Sequence, residues 1–394
     1  MEEDEFKDTE IGRIPKDWEI KKFKDCIKVI SFKYSLSKSD YQNNISGRYP
    51  IIDQSSNYIS GYSNEEEKLF NDPLPVIIFG DHTRIFKYIN FPFIPGGDGI
   101  KILHSNCENL NLKFLFYQFS SFNIPSRGYN RHFIFLRKFL IKIPPLEEQK
   151  RIAHILSKIE NAIKIQDRII NSLQELKKSM MHKLFTEGIG HTEFKDTEIG
   201  RIPKDWEIIS ASKIATYYNG YPFKPSQWKN HGLPIIRIQN LTNSSDIIHY
   251  FEGTLNKRYQ IDKGDLLLSW SATLNVYIWK GPTAYLNQHI FKVVPNKIVD
   301  KYYLYFSLLM VINKFKGQTH GSTMKHFVKS ALSDVVIPIP PLEEQKRIAD
   351  ILSTIDNKIS IEEDRKKYFE ALFKTMLNKL MTGQIRVKNL EMRE

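Results

Sequence analysis

Apolar residues recur with a seven-residue period in two long stretches of the chain, which follow Pro-Pro pairs ending at Pro145 and Pro341. In the first stretch, one heptad position is held by Ile152, Ile159, Gln166, Leu173 and Met180. The position three residues later is held by Ile155, Ala162, Ile169 and Leu176, and Leu156, Ile163 and Ile170 widen the apolar stripe. In the second stretch, the first of these positions is held by Ile348, Ile355, Glu362, Phe369 and Met376. This period predicts coiled-coil helices of about 40 residues and about 60 Å each. We expect them to pack antiparallel on each other, because neither can leave such a seam in water.

One polar residue interrupts each seam near its midpoint. Gln166 and Glu362 hold equivalent positions in the two predicted helices. A buried polar residue at a core position can fix the register of a coiled coil. We therefore expect these two side chains to meet where the helices cross; the alternative is that both point to solvent.

The segments that precede the long helices mix strand and helix signals. Short apolar runs predict strands at 75–80, 234–238, 265–270 and 276–279. Helical periodicity is present at 113–122 and 300–310. The predicted fold class is α+β (mixed α/β), with two similar globular domains separated by two long antiparallel coiled-coil helices in a pseudo-two-fold arrangement.

The chain contains an internal repeat. The fifteen residues Phe6–Ile20, FKDTEIGRIPKDWEI, recur unchanged at Phe194–Ile208, and the block IPPLEEQKRIA of Ile143–Ala153 recurs at Ile339–Ala349. The bodies between these blocks, 21–142 and 209–338, share little sequence. Sequence drift after a simple duplication would be spread evenly along the chain. Drift confined to the bodies instead indicates a shared structural frame that holds two domains, each of which recognises something different. The predicted parts are 1–145, 146–187, 188–341 and 342–394.

The charge balance favours a polyanionic partner. The chain has 57 Lys and Arg against 45 Asp and Glu, a net charge of +12 and a pI of about 9.3. Cys26 and Cys107 lack metal-ligand spacing, the N-terminal residues are too acidic for a signal peptide, and no apolar run approaches the roughly 18 residues of a membrane span. These features predict a cytoplasmic protein.

Side chains suited to contacts with bases and phosphates cluster in turn-like stretches of both bodies. In the first body the candidate DNA-binding residues are His82, Thr83, Arg84, Lys87, Arg127, Asn130, Arg131 and His132. In the second body they are Gln288, His289, Lys316, Gln318, Thr319, His320, Thr323, Lys325 and His326. The alternative for each stretch is a solvated loop. The glycine-rich basic stretch just before the Pro-Pro block occupies the same place in both halves, which favours the binding interpretation.

The repeated blocks IPPLEEQKRIA and IGRIPKDWEI, in this order over nearly the whole chain, resemble the conserved regions of type I restriction-modification specificity subunits. The resemblance implies two target-recognition domains that each read one half of an interrupted, double-stranded DNA sequence, with the helices setting the gap. It also implies two methyltransferase subunits that supply S-adenosylmethionine and methylate adenine. Restriction subunits, endonucleases and translocases with ATP and Mg, would complete the complex.

The sequence lacks the motifs expected of an ATP-binding, metal-dependent or methyltransferase active site. It contains neither a GxxxxGK[ST] phosphate loop nor an HExxH metal motif. Its Pro-Pro pairs follow Ile143 and Ile339, whereas adenine methyltransferases place an Asn or Asp there to accept a hydrogen bond. We therefore expect a non-catalytic subunit with no cofactor or metal of its own. Two alternatives are a self-contained DNA methyltransferase or nuclease, and a coiled-coil scaffold whose bodies bind proteins.

Overall fold

The structure is a computed structural model that describes residues 5–41, 43–44, 46–126, 128, 130–271, 273–318, 334–388 and 390. The chain divides into two compact units. Unit 1 combines Met1–Asp167 with Asp364–Glu394, and unit 2 is the continuous segment Arg168–Glu363. The boundary between the units lies near the middle of each long helix. The predicted four parts instead have their boundaries at the ends of these helices, and that division stays a prediction.

The elements up to the first long helix alternate short strands with short helices. In chain order they are β1 Phe6–Thr9, β2 Gly12–Pro15, β3 Glu19–Lys22, α1 Phe23–Cys26, β4 Ile27–Ile30, α2 Lys38–Tyr41, β5 Tyr49–Ile52, β6 Gly61–Ser63, β7 Val76–Gly80, β8 Phe86–Ile89, β9 Ile94–Pro95, β10 Ile100–Ser105, α3 Leu112–Ser120, α4 Phe133–Leu136, β11 Leu140–Ile143 and α5 Leu146–Thr186.

The second half repeats this plan. Its elements are β12 Phe194–Thr197, β13 Gly200–Pro203, β14 Glu207–Ser210, α6 Ala211–Ile214, β15 Ala215–Asn219, β16 Leu233–Ile236, α7 Ile238–Leu241, β17 His249–Phe251, β18 Gln260–Ile261, β19 Leu266–Ser269, β20 Asn275–Ile278, β21 Ala284–Leu286, β22 Ile290–Pro295, α8 Lys301–Gln318, β23 Val336–Ile339 and α9 Leu342–Met381.

Each unit is built around an antiparallel four-stranded sheet. The strand order is β4-β10-β7-β8 in unit 1 and β15-β22-β19-β20 in unit 2. A second sheet, of three strands in unit 1 and four in unit 2, contains the parallel pair β5–β9 in unit 1 and the parallel pair β16–β21 in unit 2. The α+β fold class and the predicted strands and body helices are thereby confirmed.

The central strands are apolar on both faces because each face meets a different layer. In β7, Ile77 and Phe79 pack with Phe119 of α3, whereas Val76 and Ile78 pack with the smaller sheet. Burial on both faces explains why this strand reads as a continuous apolar run rather than an alternating one.

Within each unit, the segments of α5 and α9 pack antiparallel. In unit 1, Ile152 and Leu156 share a core cluster with Leu380, and Lys366 forms an ion pair with Asp167 at 2.6 Å. In unit 2, Met181, Leu184 and Phe185 share a cluster with Ile348 and Leu352. Rising residue numbers on one helix thus meet falling numbers on the other, so the predicted antiparallel pairing is confirmed inside each unit.

The heptad prediction of which residues face the seam is wrong in part. Ile170, which belongs to the predicted stripe, is buried, whereas Met181 is buried next to the predicted Met180, which is only partly buried. Ile169 and Leu176 are 37% and 47% exposed. A straight α-helix drifts by about 20° per heptad relative to a 3.5-residue repeat. The buried face of α5 therefore moves toward later residues along the helix.

Both polar seam residues are buried. Gln166 is 3% exposed and Glu362 is 1% exposed, so the alternative that they point to solvent is wrong. Lys358, one turn earlier, pairs with the Glu362 carboxylate at 2.5 Å. The contact between Gln166 and Glu362 stays a prediction.

An opening hairpin in each unit is fastened to the first turn of a long helix. The hairpin β1–β2 leads to Trp18, whose indole Nε1 donates to Glu148 at 3.1 Å. The hairpin β12–β13 leads to Trp206, whose Nε1 donates to Glu344 at 3.1 Å. These residues belong to the two repeated blocks, so the identical sequence builds an identical joint in both units.

The segment that follows each long helix completes this joint with a different side chain. In unit 1, Nε and Nη2 of Arg386 donate to Glu148, each at 2.8 Å. In unit 2, Nε2 of His191 contacts Glu344 at 2.9 Å. Gly383, at φ +72°, turns the chain toward this joint after α9, and a side chain there would collide with Pro15.

Among the residues that the structure describes, no helix has both the length and the apolar character needed to span a membrane.

Candidate nucleic-acid interface

Three connections meet at one edge of unit 1, where the strands of both sheets end. They are the residues after β5 (53–54), the β7–β8 turn (81–85) and the β9–β10 turn (96–99), and we call them loop edge 1. Oε1 of Gln54 accepts from the backbone N of His82 at 3.1 Å, and its Nε2 donates to the carbonyl of Asp98 at 2.9 Å. The hydroxyl of Thr83 donates to the carbonyl of Gln54 at 2.6 Å. The amide of Gln54 thus links the other two connections.

The loop before α4 reaches the same place. The backbone N and Nδ1 of His132 both donate to the carbonyl of Asp81, at 2.8 and 2.9 Å. The Asp81 carboxylate accepts from the backbone N of Phe133 at 2.6 Å. Nη1 of Arg84 donates to the carbonyl of Ile124 at 3.0 Å. Two stretches that are far apart in the sequence, both chosen as DNA-binding candidates, therefore lie together.

Two of the predicted contact residues are buried, and for them the prediction is wrong. Lys87 is 4% exposed, and its ammonium donates to the carbonyls of Asp53 and Asn57 and lies 3.6 Å from the Asp53 carboxylate. Burial lowers the pKa of Lys87, an effect that the nearby carboxylate opposes. His132 is 0% exposed. A side chain enclosed in this way cannot reach a duplex, so both residues position the loops instead.

The other candidates of unit 1 are more accessible. Thr83, Asn130 and Arg131 are exposed, and His82 and Arg84 are half-buried. Arg127 lies outside the described residues. The burial of Lys87 could have been predicted from β8, where Lys87 and Ile89 point to the same face of an alternating strand.

Unit 2 has the equivalent edge. The residues after β16 (237–239), the β19–β20 turn (270–274) and the β21–β22 turn (287–289) form loop edge 2. The backbone N of Asn287 donates to Ile236 at 3.0 Å, and that of Trp270 donates to His289 at 3.2 Å. The rings of Trp270 and His289 pack edge to face at 5.3 Å. Gln288 and His289 therefore stand in unit 2 where the glycine-rich turn stands in unit 1.

The remaining candidates of unit 2 follow α8. Lys316 is exposed on the last turn of that helix. Gln318 ends the helix, and its side chain is not described. The candidates that lie outside the described residues are Thr319, His320, Thr323, Lys325 and His326.

Gln54 and Arg237 lie in the loop edges but were not among the predicted DNA-binding residues. Gln54 lies two residues after β5, which ends at Ile52, and Arg237 immediately follows β16, which ends at Ile236. Each of these strands belongs to the parallel pair of its unit. Of the strands in these pairs only the one at 234–238 was predicted, and each pairing joins segments more than forty residues apart. The useful signal is the position itself, because side chains just after the ends of such strands converge with those of the neighbouring turns.

The two units thus share a frame and present different side chains on the same loop edge, as expected of a protein with two recognition domains. The sequence profile described as "Type I restriction modification DNA specificity domain" matches residues 15–175 and 203–371. The chain belongs to this family, and it is a specificity subunit of a type I restriction-modification system with two DNA-recognition domains.

Two of the similar proteins match along nearly the whole chain. A putative type I restriction enzyme MjaX specificity subunit of Methanocaldococcus jannaschii is 31% identical, covering 98% of both chains. The MjaVIII specificity subunit of the same organism is 30% identical, covering 98% of this chain and 97% of the relative. The crystal structure of an S subunit from M. genitalium superposes with a TM-score of 0.64 at 16% identity, over 92% of this chain and 96% of that one. At that identity the likeness supports the fold alone.

Proposed function

We propose that each unit reads one half of a bipartite duplex DNA sequence through its loop edge, and that the chain directs adenine methylation and cleavage by partner subunits. One observation carries the proposal. The same three connections converge in both units, yet the residue after the parallel strand is Asp53 in unit 1 and Arg237 in unit 2. At this equivalent position unit 1 has a buried carboxylate that is held by Ser55 and Ser60, whereas unit 2 has a guanidinium that can donate to a base edge.

The identical blocks, in contrast, serve the frame. Nε2 of Gln149 donates to the carbonyl of Pro144 at 2.8 Å, and Nε2 of Gln345 donates to that of Pro340 at 2.8 Å. Both amides are buried. The Pro-Pro pairs therefore start the long helices, and this structural role supports a chain that catalyses neither methylation nor cleavage.

We place the chemistry in partner subunits: two methyltransferase subunits with S-adenosylmethionine, and restriction subunits with ATP and Mg, all in the cytoplasm with the DNA. The exposed side of α5 supports docking of a protein there. Ile165, Ile169 and Leu176 are 53%, 37% and 47% exposed, which is unusual for aliphatic side chains on a helix otherwise rich in charge.

The docking proposal is tested with Leu176→Glu. This change should weaken co-purification with methyltransferase subunits without lowering the melting temperature, because the side chain makes little contact inside the chain. Lys178→Glu, an exposed position on the same helix, is the matched control. Equal assembly of wild type and Leu176→Glu, measured by native mass spectrometry, would contradict docking at this position.

The reading proposal is tested by exchanging bodies. The chain is produced with its partner subunits in a host lacking other adenine methylation, and the methylated sequence is read by single-molecule sequencing. Replacing 21–142 by the corresponding body of a relative should change one half of the target and leave the other half and the gap unchanged. Replacing 209–338 should change the opposite half. If either exchange alters both halves, the proposal fails.

A further inference from the structure

Loop edge 2 encloses a cleft with a volume of about 500 Å³. Its lining includes Trp228, Arg237, Gln239, Gln288 and His289. Trp228 ends the short 3₁₀ turn 225–227, Arg237 immediately follows β16, and Gln288 and His289 form the β21–β22 turn. The cleft is thus built from elements that the fold fixes in place rather than from one long loop.

Three buried nitrogen atoms of this lining have no hydrogen-bond partner. They are Nε1 of Trp228, Nε of Arg237 and Nδ1 of His289. The indole and the guanidinium can only donate. Nε2 of His289 lies 3.2 Å from Nε2 of Gln288 and must accept from it, so a neutral imidazole carries its proton on Nδ1 and that atom is also a donor. Buried polar groups nearly always have partners, so three such donors around one cleft point to an acceptor that arrives from outside.

The donors are held in defined orientations. The Trp228 ring stacks on His249 with centroids 4.2 Å apart and planes 20° apart. The guanidinium carbon of Arg237 lies 4.9 Å from the centroid of the same indole. One guanidinium nitrogen, Nη2, also donates to Oε1 of Gln239 at 2.5 Å. A guanidinium that is stacked and tethered has a fixed plane, which suits recognition of a planar ligand.

The charge of the cleft further restricts the class of ligand that it can bind. Arg237 is the one permanently charged side chain among the lining residues that the structure describes, and that lining contains no carboxylate. A single guanidinium whose plane is fixed, without a competing carboxylate, fits a planar group that offers two acceptors in one plane. In the major groove, guanine offers O6 and N7 in this geometry, and arginine is the side chain that most often reads them. A phosphate could accept from the same fork, but phosphate contacts carry no sequence information, so a loss of base discrimination distinguishes the two ligands.

We propose that this cleft receives the O6 and N7 edge of a guanine in the half-site read by unit 2, with Arg237 as its specificity-determining residue. The inference rests on the proposed function, since it needs unit 2 to read DNA. Unit 1 has no equivalent reader at that position: Asp53 stands there, buried and held by Ser55 and Ser60. At this point of the fold, therefore, the guanidinium of unit 2 can contact a base and the buried carboxylate of unit 1 cannot.

The test uses the complete complex and the target found for the wild type. Duplexes carrying 7-deazaguanine, which lacks only the N7 acceptor, at one guanine of the unit 2 half-site at a time are compared in binding. One such position should weaken wild-type binding clearly. Arg237→Ala should lose about 5- to 150-fold in discrimination at that same position, the range expected of one bidentate contact. It should no longer respond to 7-deazaguanine there.

Two further variants guard against misfolding. Arg237→Lys keeps the charge but not the fork and should restore affinity better than discrimination. Trp228→Phe keeps the ring, removes the indole donor and should reduce discrimination less than Arg237→Ala. Recognition of the unit 1 half-site should be unchanged in all three, which serves as the internal folding control.

The possible outcomes distinguish a failure of the guanine proposal from a failure of the proposed function. If Arg237→Ala weakens binding to all sequences equally, the cleft holds a phosphate and the proposal is overturned. If the unit 2 half-site contains no guanine whose N7 matters, it is overturned as well. If the wild-type complex shows no sequence preference at all, the proposed function itself fails.

Discussion

Replacing Arg386 by alanine would remove the counter-ion of a carboxylate buried inside unit 1. Glu148 is 1% exposed and accepts from Nε and Nη2 of Arg386, each at 2.8 Å. It also accepts from Nε1 of Trp18 at 3.1 Å and from the backbone N of Val387 at 3.3 Å. After the substitution the carboxylate keeps these two neutral donors but no positive charge.

The size of the effect follows from burial. Removing one partner of a buried ion pair costs about 3–5 kcal/mol, because the remaining charge stays desolvated. The two neutral donors remain and the Arg386 side chain is 14% exposed, so we expect about 3 kcal/mol. Its second pair, with Asp17, adds little because that carboxylate is 36% exposed. For a unit of about 200 residues, the melting temperature should fall by about 6–12 °C.

Unfolding in guanidinium chloride would measure the decrease in the free energy of unfolding, and hydrogen exchange would assign that decrease to one unit. Protection should fall in peptides from 146–160 and stay unchanged in peptides from 342–352. Lys388→Ala is the matched control, since its ammonium pairs with the same Asp17 at 2.8 Å but is 47% exposed, and it should cost under about 1 kcal/mol. The double variant Glu148→Gln/Arg386→Ala should recover part of the stability. The reasoning is refuted if Arg386→Ala unfolds like the wild type, or if the double variant is no more stable than the single one.

Three further predictions concern buried groups. Lys87→Met should destabilise unit 1 by about 3 kcal/mol, because Asp53 loses its buried cation, and a weaker DNA affinity without any fall in melting temperature would contradict the structural role. Replacing Gln166 and Glu362 together by leucine should raise the melting temperature and loosen helix register, which cysteine cross-linking between α5 and α9 would report; an unchanged temperature and cross-linking pattern would count against it. Burial raises the pKa of the Cys26 thiol to about 11, so the native protein at pH 8 should alkylate slowly there and react quickly only once unfolded, as followed by peptide mass spectrometry.

The sequence was most informative where the structure depends on local pattern. The repeated blocks contain the residues that form the joints at Glu148 and Glu344, although the joints themselves were not predicted, and the apolar period predicted two helices of about 40 residues where the structure has 41 and 40. The heptad also placed Ile169 and Leu176 in the seam, although they are 37% and 47% exposed, because an α-helix drifts relative to a 3.5-residue repeat.

The candidate site depended on contacts between distant segments, and there the sequence was less informative. Whether Lys87 faces solvent is decided by the sheet that covers its strand. Whether Gln54 and Arg237 belong to the loop edges is decided by two short parallel pairings, and strands of two to four residues carry too little pattern to specify their partners. Arg386 reaches Glu148 from a segment that has no repeat in the first half.

The division of the chain between the units has a consequence for its synthesis. Unit 2 is one continuous segment and has all its residues once Glu363 has left the ribosome. Unit 1 starts before unit 2 in the chain, but it lacks the end of α9 and the arginine that neutralises Glu148 until residues 364–386 have been made. The unit that is started earlier is therefore completed after the other, and a chain truncated before Asp364 would lose part of unit 1 and none of unit 2.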